Sequence, residues 1–343
     1  MYYIHKYIYI YKYMRIIITG VAGFIGSNIC EKLLELNHEI IGIDNFICGY
    51  KENILHFNSH PKFTFFELSI EDKELYSIIQ KDDIIIHLAA ISSLASNQEN
   101  PVFSYNNNIC GMINLLEISR INGVKHFIFA STSAIYENNN EFPLHESLQT
   151  NPDLIYSVGK KHGEELLISF HKTYGLNYSI LRFFNVYGPR QDFMRTHPAL
   201  IPYIIDSFKN NKIPILHSDG NQERDYVFID DIIHLFIILI KKHPINDIIN
   251  VSSGKTISVK NIVTIINSYL SENKINPVYR DPSLLWEKSE KLWRGNYPFS
   301  KDRMKQEVNK YTLGDSIKAK NILDWEAKTD MKEGLLKCIT FEK

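Results

Sequence analysis

The chain has 343 residues, 44% hydrophobic and 22% charged, which is close to the average of soluble globular proteins and excludes a fibrous, disordered or disulfide-stapled chain. Its 38 Lys and Arg against 39 Asp and Glu leave a net charge of −1, so no global basic field draws it to nucleic acid or to an anionic membrane, and a small molecule is the expected partner. Cys30, Cys48, Cys110 and Cys338 show no CxxC or metal-like spacing, so reduced thiols in a cytoplasmic setting, with no bound metal, are expected.

Residues 1–13, MYYIHKYIYIYKY, lack the apolar run of a signal peptide and fall short of the about 20 apolar residues of a membrane span. A disordered tail or an over-assigned start is expected there, since MRIIITG from Met14 reads as an ordinary beginning. From Arg15 onward, β-branched runs at 15–19, 38–44, 63–68, 83–89, 125–131 and 177–184 alternate with helical patterns at 24–37, 71–80, 100–122 and 153–175. That alternation predicts an α/β fold with a parallel sheet covered by helices on both faces. Beyond about residue 190 it loosens around Pro198, Pro202 and Pro214, then a helix (229–242) and a strand (245–253) return to the sheet. The expected division is a sheet domain over 14–190 that the chain rejoins at about 228–255, with a smaller C-terminal α/β lobe from 191–227 and 256–343.

The first strand runs into Gly20-Val21-Ala22-Gly23-Phe24-Ile25-Gly26 at the start of a helix. Glycines there let backbone approach a pyrophosphate, whose charge the helix N-terminus favours. Asp44, ending the second strand, is placed to hydrogen-bond an adenosine ribose and would repel a 2′-phosphate, so NAD is expected in preference to NADP in a doubly wound, Rossmann-type sheet. A tight turn with a solvated Asp44 is the alternative. Of three Tyr-x-x-x-Lys pairs, Tyr2/Lys6 precedes the first strand and Tyr297 is followed by Pro298, which disfavours a helix. Only Tyr156/Lys160 follows a dinucleotide-binding half-fold and the hydroxyl cluster Ser131-Thr132-Ser133, with phenol and ammonium on one helical face.

Taken together, TGVAGFIG (19–26), IDN (43–45), HLAA (87–90), NNICGMINLLE (107–117), YSVGK (156–160), LRFFNVYGPRQ (181–191) and ERDYVFIDD (223–231) resemble the extended short-chain dehydrogenase/reductase superfamily, in particular its nucleotide-sugar epimerases and dehydratases, such as UDP-glucose 4-epimerases. The resemblance implies NAD bound by Gly20, Gly23, Phe24, Ile25, Gly26, Asp44, Asn45, Leu88, Ala89, Ala90, Tyr156 and Lys160. It implies Tyr156 as base, Lys160 as its cationic neighbour, Thr132 and secondarily Ser133 as hydroxyl partners, and Ser92, Thr132, Asn185, Arg224 and Arg303 as substrate contacts. Lowering a phenol from about 10 by about 3 units takes roughly 4 kcal/mol, which Lys160 and a positive nicotinamide are expected to supply. Bland alternatives stand beside these: Thr132 as a local cap, Asn185 as a turn residue, Arg224 in an ion pair with Glu223 or Asp225, His87 as a packed core histidine and Asn108 as a structural asparagine.

Dehydratases of the family carry an Asp-Glu pair after the threonine, and decarboxylases resembling this chain usually carry a glutamate two positions after it. Ser133 and Ala134 stand there, so the resemblance implies an NAD-dependent 4-epimerase of a nucleotide sugar, with UDP-linked substrates and surface-polysaccharide synthesis as expectations. A dehydratase, decarboxylase or keto-sugar reductase, and a non-catalytic nucleotide-binding protein, remain the alternatives. Dimers formed through the helices equivalent to 100–122 and 153–175 are also implied. Segment 281–315 departs from the family as an insertion, Thr312 falls where side-chain bulk decides on a 2-N-acetyl sugar, and Ser69 stands where an aspartate often faces the adenine.

Overall fold

A computed structural model describes residues 13–242, 244–270 and 275–341. The expected tail, Tyr13 apart, lies outside the described residues. Seven parallel strands form the main sheet: β1 (Arg15–Thr19), β2 (Glu39–Asp44), β3 (Phe63–Glu67), β4 (Ile84–His87), β5 (His126–Thr132), β6 (Tyr178–Phe183) and, returning from the second lobe, β10 (Ile248–Val251). Their order is β3-β2-β1-β4-β5-β6-β10. Strand order reverses between β1 and β4, and in such sheets the crevice beyond the carboxyl ends at that point is where a ligand sits.

Two-residue alternation explains the burial of both faces. Ile16 and Ile18 of β1 enter one core with helix α1 (Phe24–Glu35) and helix α8 (Ile229–Lys241), whereas Ile17 enters the other with Met112 and Leu115 of α5 (Gly111–Asn122) and Leu167 of α6 (Ile155–Tyr174). Thr19 Oγ1 lies 2.8 Å from His87 Nδ1, joining the ends of β1 and β4 under the crevice. Burial lowers the His87 pKa to about 3, so this is a neutral, packed histidine.

The expected helix 71–80 reduces to one turn, α2 (Leu75–Ile78). The single helix expected over 100–122 is α4 (Pro101–Tyr105), a π-helical turn at Asn106–Cys110 and α5. That turn brings Asn108 inward, where Oδ1 accepts from Ile91 N–H (2.8 Å) and Nδ2 donates to the Ile91 carbonyl (3.2 Å), fixing the loop after β4. In the second lobe, β7 (Asn185–Tyr187) pairs with β9 (Glu223–Phe228), which pairs with β11 (Thr256–Ser258). Helices α7 (Leu200–Lys209) and α9 (Val259–Leu270) back this lobe. The insertion folds as short helices at Pro282–Leu284, Glu290–Trp293 and α10 (Lys301–Asn309). Its Trp286, Leu292, Met304 and Val308 bury against Ala95 of α3 (Leu94–Glu99) and against Leu154, so it spans from the lobe to the sheet domain.

Candidate active site

Gly20 turns the chain at φ +75°, and an added Cβ would lie 2.8 Å from the Ala89 nitrogen. Glycine is therefore what lets the loop close against 88–90. A Cβ at Gly23 would meet the Gly20 carbonyl oxygen at 3.2 Å and otherwise stand in open cavity. Helix α1 has no side-chain cap at Gly23, so its first N–H groups remain available to an anion. Asp44, only 8% exposed, accepts Ala22 N–H through Oδ2 (2.9 Å) and Phe46 N–H through Oδ1 (2.8 Å). Burial pushes its pKa up and these donors pull it back. A cavity of about 530 Å³ is lined by Gly20, Gly23, Gly26, Asp44, Lys160 and Tyr156, with Phe24, Ile25, Asn45 and 88–90 completing it. Open N–H donors at one end and a buried carboxylate at the other fit the pyrophosphate and ribose of NAD.

A second cavity of about 1180 Å³ adjoins the first, and Ser92, Thr132, Tyr156 and Arg195 line both. Strand β5 ends at Thr132, whose Oγ1 accepts Ala134 N–H (3.1 Å). It also lies beside Tyr156, in the first turn of α6, and favours the ionised phenol. Lys160 Nζ donates to the Ala130 carbonyl (2.7 Å) and sits 5.9 Å from the centre of the Tyr156 ring. In the chain by itself, burial acts against both charged forms. Burial pushes Tyr156 up to about 12 and Lys160 down to about 7, because both charged forms lose water before they gain a partner.

Ser133, Asn185, Arg224 and Arg303 line the second cavity alone. Asn185 Nδ2 donates to the Asp225 carbonyl (2.8 Å). Arg224 pairs with neither Glu223 nor Asp225; its Nη2 donates to the carbonyls of Glu307 (2.9 Å) and Val308 (3.0 Å). Arg303, expected as a substrate contact, lines the second cavity with its guanidinium against Glu137 (3.3 Å), Glu307 (3.4 Å) and Asp153 (3.8 Å), where α10 faces the start of α6. Thr312 lines the cavity wall, whereas Ser69 does not line the first cavity and gives its N–H to Asp72 (2.7 Å). Sequence reasoning missed Tyr50, Asp192 and Arg195, which line the first cavity; the signal for the last two was their position just after LRFFNVYGPRQ.

The carboxylates among the described residues lining the second cavity are Glu137, Glu287 and Glu307. Each is engaged: Glu137 by Arg303 (3.3 Å), Glu287 by Arg280 (2.6 Å) and Glu307 by Lys310 (2.5 Å).

Residues 17–338 match the family described as GDP-mannose 4,6 dehydratase. A putative UDP-glucose 4-epimerase of Methanocaldococcus jannaschii is 34% identical over 96% of this chain and 98% of its own. The solved structure of a UDP-N-acetylglucosamine 4-epimerase from Methanobrevibacter ruminantium in complex with UDP-N-acetylmuramic acid superposes with a TM-score of 0.84 at 31% identity, covering 96% and 98% of the two chains. That of a UDP-glucuronic acid 4-epimerase from Bacillus cereus, in complex with UDP-glucuronic acid and NAD, gives 0.80 at 28% identity over 95% and 98%.

Proposed function

Since the chain belongs to the NAD-dependent nucleotide-sugar epimerases and dehydratases of the extended short-chain dehydrogenase/reductase superfamily, we propose that the junction of its two cavities carries out 4-epimerisation of a UDP-sugar. The observation that carries this is the company Thr132 and Tyr156 keep. Both stand where the dinucleotide cavity meets the larger one, and every carboxylate lining the larger cavity among the described residues is tied to a cation. Elimination of water draws on a further acid and base, and the carboxylates that would be the natural suppliers here are each held by a cation.

The first turn of α1 would hold the NAD pyrophosphate, Asp44 and Asn45 the adenosine ribose, 88–90 the adjoining wall, and Lys160 the nicotinamide ribose. When bound, NAD supplies the acceptor that takes a hydride from C4 and returns it to the opposite face. Tyr156, as phenolate, takes the proton of the 4-hydroxyl and gives it back to the same oxygen at the end of the cycle. Thr132 hydrogen-bonds that oxygen, with Ser133 beside it. Asn185 and Arg224 serve the sugar diphosphate, Arg224 through the part of its guanidinium not bound to Glu307 and Val308.

The test is a mass-balanced product assay of the purified protein, without added cofactor, on UDP-glucose, UDP-N-acetylglucosamine and UDP-glucuronate. An isomer of unchanged mass is expected from one of them. Loss of water or carbon dioxide would move the protein to the dehydratases or decarboxylases.

A homodimer through α4, α5 and α6 belongs to the same proposal. Val102 and Phe103 are 73% and 54% exposed, and Ile113 and Ile121 of α5 are exposed as well, apolar side chains of the kind an interface would cover. Sedimentation at micromolar concentration is expected to give a dimer that Phe103→Glu converts to a monomer; a wild-type monomer would remove this part. No described helix is long and apolar enough to cross a membrane. The cysteines are free thiols, which supports the cytoplasmic setting proposed for an enzyme supplying sugars to polysaccharide synthesis.

A further inference from the structure

Tyr156 is the second residue of α6, so its position depends on a helical turn that has no cap of its own. Leu154 occupies the cap position and offers no side-chain acceptor. The donors of that end are instead met from elsewhere in the chain. Glu137 Oε2 accepts from Asp153 N–H (2.9 Å) and Leu154 N–H (3.2 Å), and its Oε1 accepts from Ser157 Oγ (2.8 Å). Gln98 Oε1, from α3, accepts from Ile155 N–H (2.8 Å). A carboxylate here answers both the unpaired N–H groups and the positive end of the helix dipole.

Glu137 is itself held by the insertion. Arg303 lies 3.3 Å from its Oε2, with Asp153 and Glu307 as the guanidinium's other partners and Lys310 against Glu307. The same insertion buries Trp286, Leu292, Met304 and Val308 on Ala95 and Leu154, and Lys291 Nζ donates to Asn100 Oδ1 (2.8 Å). Leu154, the uncapped residue, is therefore gripped from one side by apolar packing and from the other by Glu137.

We propose that Glu137 and Arg303 are positioning residues for Tyr156: Glu137 caps the first turn of the catalytic helix from outside it, and Arg303, carried on the insertion, holds Glu137 in place. Their role runs through Tyr156 rather than through contact with the reacting sugar. Both act by fixing where the phenol stands relative to Thr132, and a displacement near 1 Å is enough to cost about 10²-fold in rate. This inference rests on the epimerase reading for its kinetic part and stands apart from it for its structural part.

Wild type, Glu137→Gln, Arg303→Ala, Arg303→Lys and the Glu137→Gln/Arg303→Ala double variant are compared on whichever UDP-sugar the wild type turns over. Glu137→Gln is expected to lower kcat by about 10- to 100-fold with KM changed less than about 3-fold, which marks a loss made in the transition state rather than in binding. Arg303→Ala is expected to lower kcat by about 10-fold, Arg303→Lys to keep most of it, and the double variant to be no slower than Glu137→Gln by more than about 2-fold, because the two side chains act as one unit. Hydrogen–deuterium exchange should accelerate at amides 153–158 and stay unchanged at 163–172. A KM raised by more than about 10-fold at unchanged kcat would make Arg303 a substrate contact and overturn the proposal, as would unchanged kcat or exchange that rises over the whole molecule. Ser157→Ala removes only the hydroxyl contact, and it decides the matter should Glu137→Gln not fold: an unaltered kcat together with unaltered exchange at 153–158 overturns the cap. If the wild type turns over no UDP-sugar, the epimerase reading falls, while the exchange of Glu137→Gln still decides the cap.

Discussion

Tyr156→Phe is expected to turn over its UDP-sugar about 10²- to 10⁴-fold more slowly than the wild type, the span by which positioned acid–base groups contribute. It removes one oxygen and keeps the ring, so NAD released on denaturation should match the wild type mole for mole. Because burial raises the phenol to about 12 in the chain by itself, the ionised form is scarce near neutrality, and each added positive charge in the cavity enlarges it. The sign for pH follows. The base is the deprotonated form, so wild-type kcat should climb with pH up to the phenol's pKa in the loaded enzyme, and the variant's residual rate should lose that climb. Near-normal turnover would take the base assignment away from Tyr156, and loss of NAD along with activity would make the hydroxyl a cofactor support.

The second large effect lies behind the site. Arg182 on β6 and Glu164 on α6 are buried partners, 5% and 4% exposed, joined at 2.7 Å and again at 3.0 Å through Nε. Arg182 Nη1 also donates to the Tyr136 hydroxyl (2.7 Å), which donates to Asn250 Oδ1 on β10 (2.9 Å). Ser131 Oγ donates to Glu164 as well. One network thus joins β5, β6, β10 and the catalytic helix. Arg182→Met leaves the Glu164 charge without its partner, and an unfolding free energy about 3–5 kcal/mol lower is expected in urea titration. Pairing it with Glu164→Leu should restore much of the loss, since the cost lies in the stranded charge rather than in the missing bond. A single variant less than about 1 kcal/mol down would show that water reaches the site.

Local pattern made much of this legible. β1, the loop 20–26, Asp44 and the Tyr156/Lys160 pair are all contiguous or nearly so, and their geometry follows from periodicity and glycine chemistry. What the sequence concealed depends on distant partners. Ile17 and Ile85 announce a strand, but nothing near Arg303 announces Glu137, far away in the chain, and the carboxylate cluster around that arginine is assembled from segments remote in sequence. The pKa values of Tyr156 and Lys160 depend on burial, which a spacing of four does not report. The break of the helix expected over 100–122 at Asn106–Cys110 is likewise set by what Asn108 must reach, the backbone of Ile91.

The seventh strand of the sheet arrives after an excursion. β6 ends at Phe183, and the strand that covers its outer edge, β10, begins at Ile248. As the chain leaves the ribosome, β6 therefore presents an unpaired row of N–H and C=O groups while β7, β9 and α8 are still being made, the kind of edge on which nascent chains associate. Closing a loop of that length also makes the final pairing a late, non-local event. Neither half can then be finished alone: a chain cut before Ile248 would keep an open sheet, and the lobe's own strands are encoded on both sides of the one that closes it.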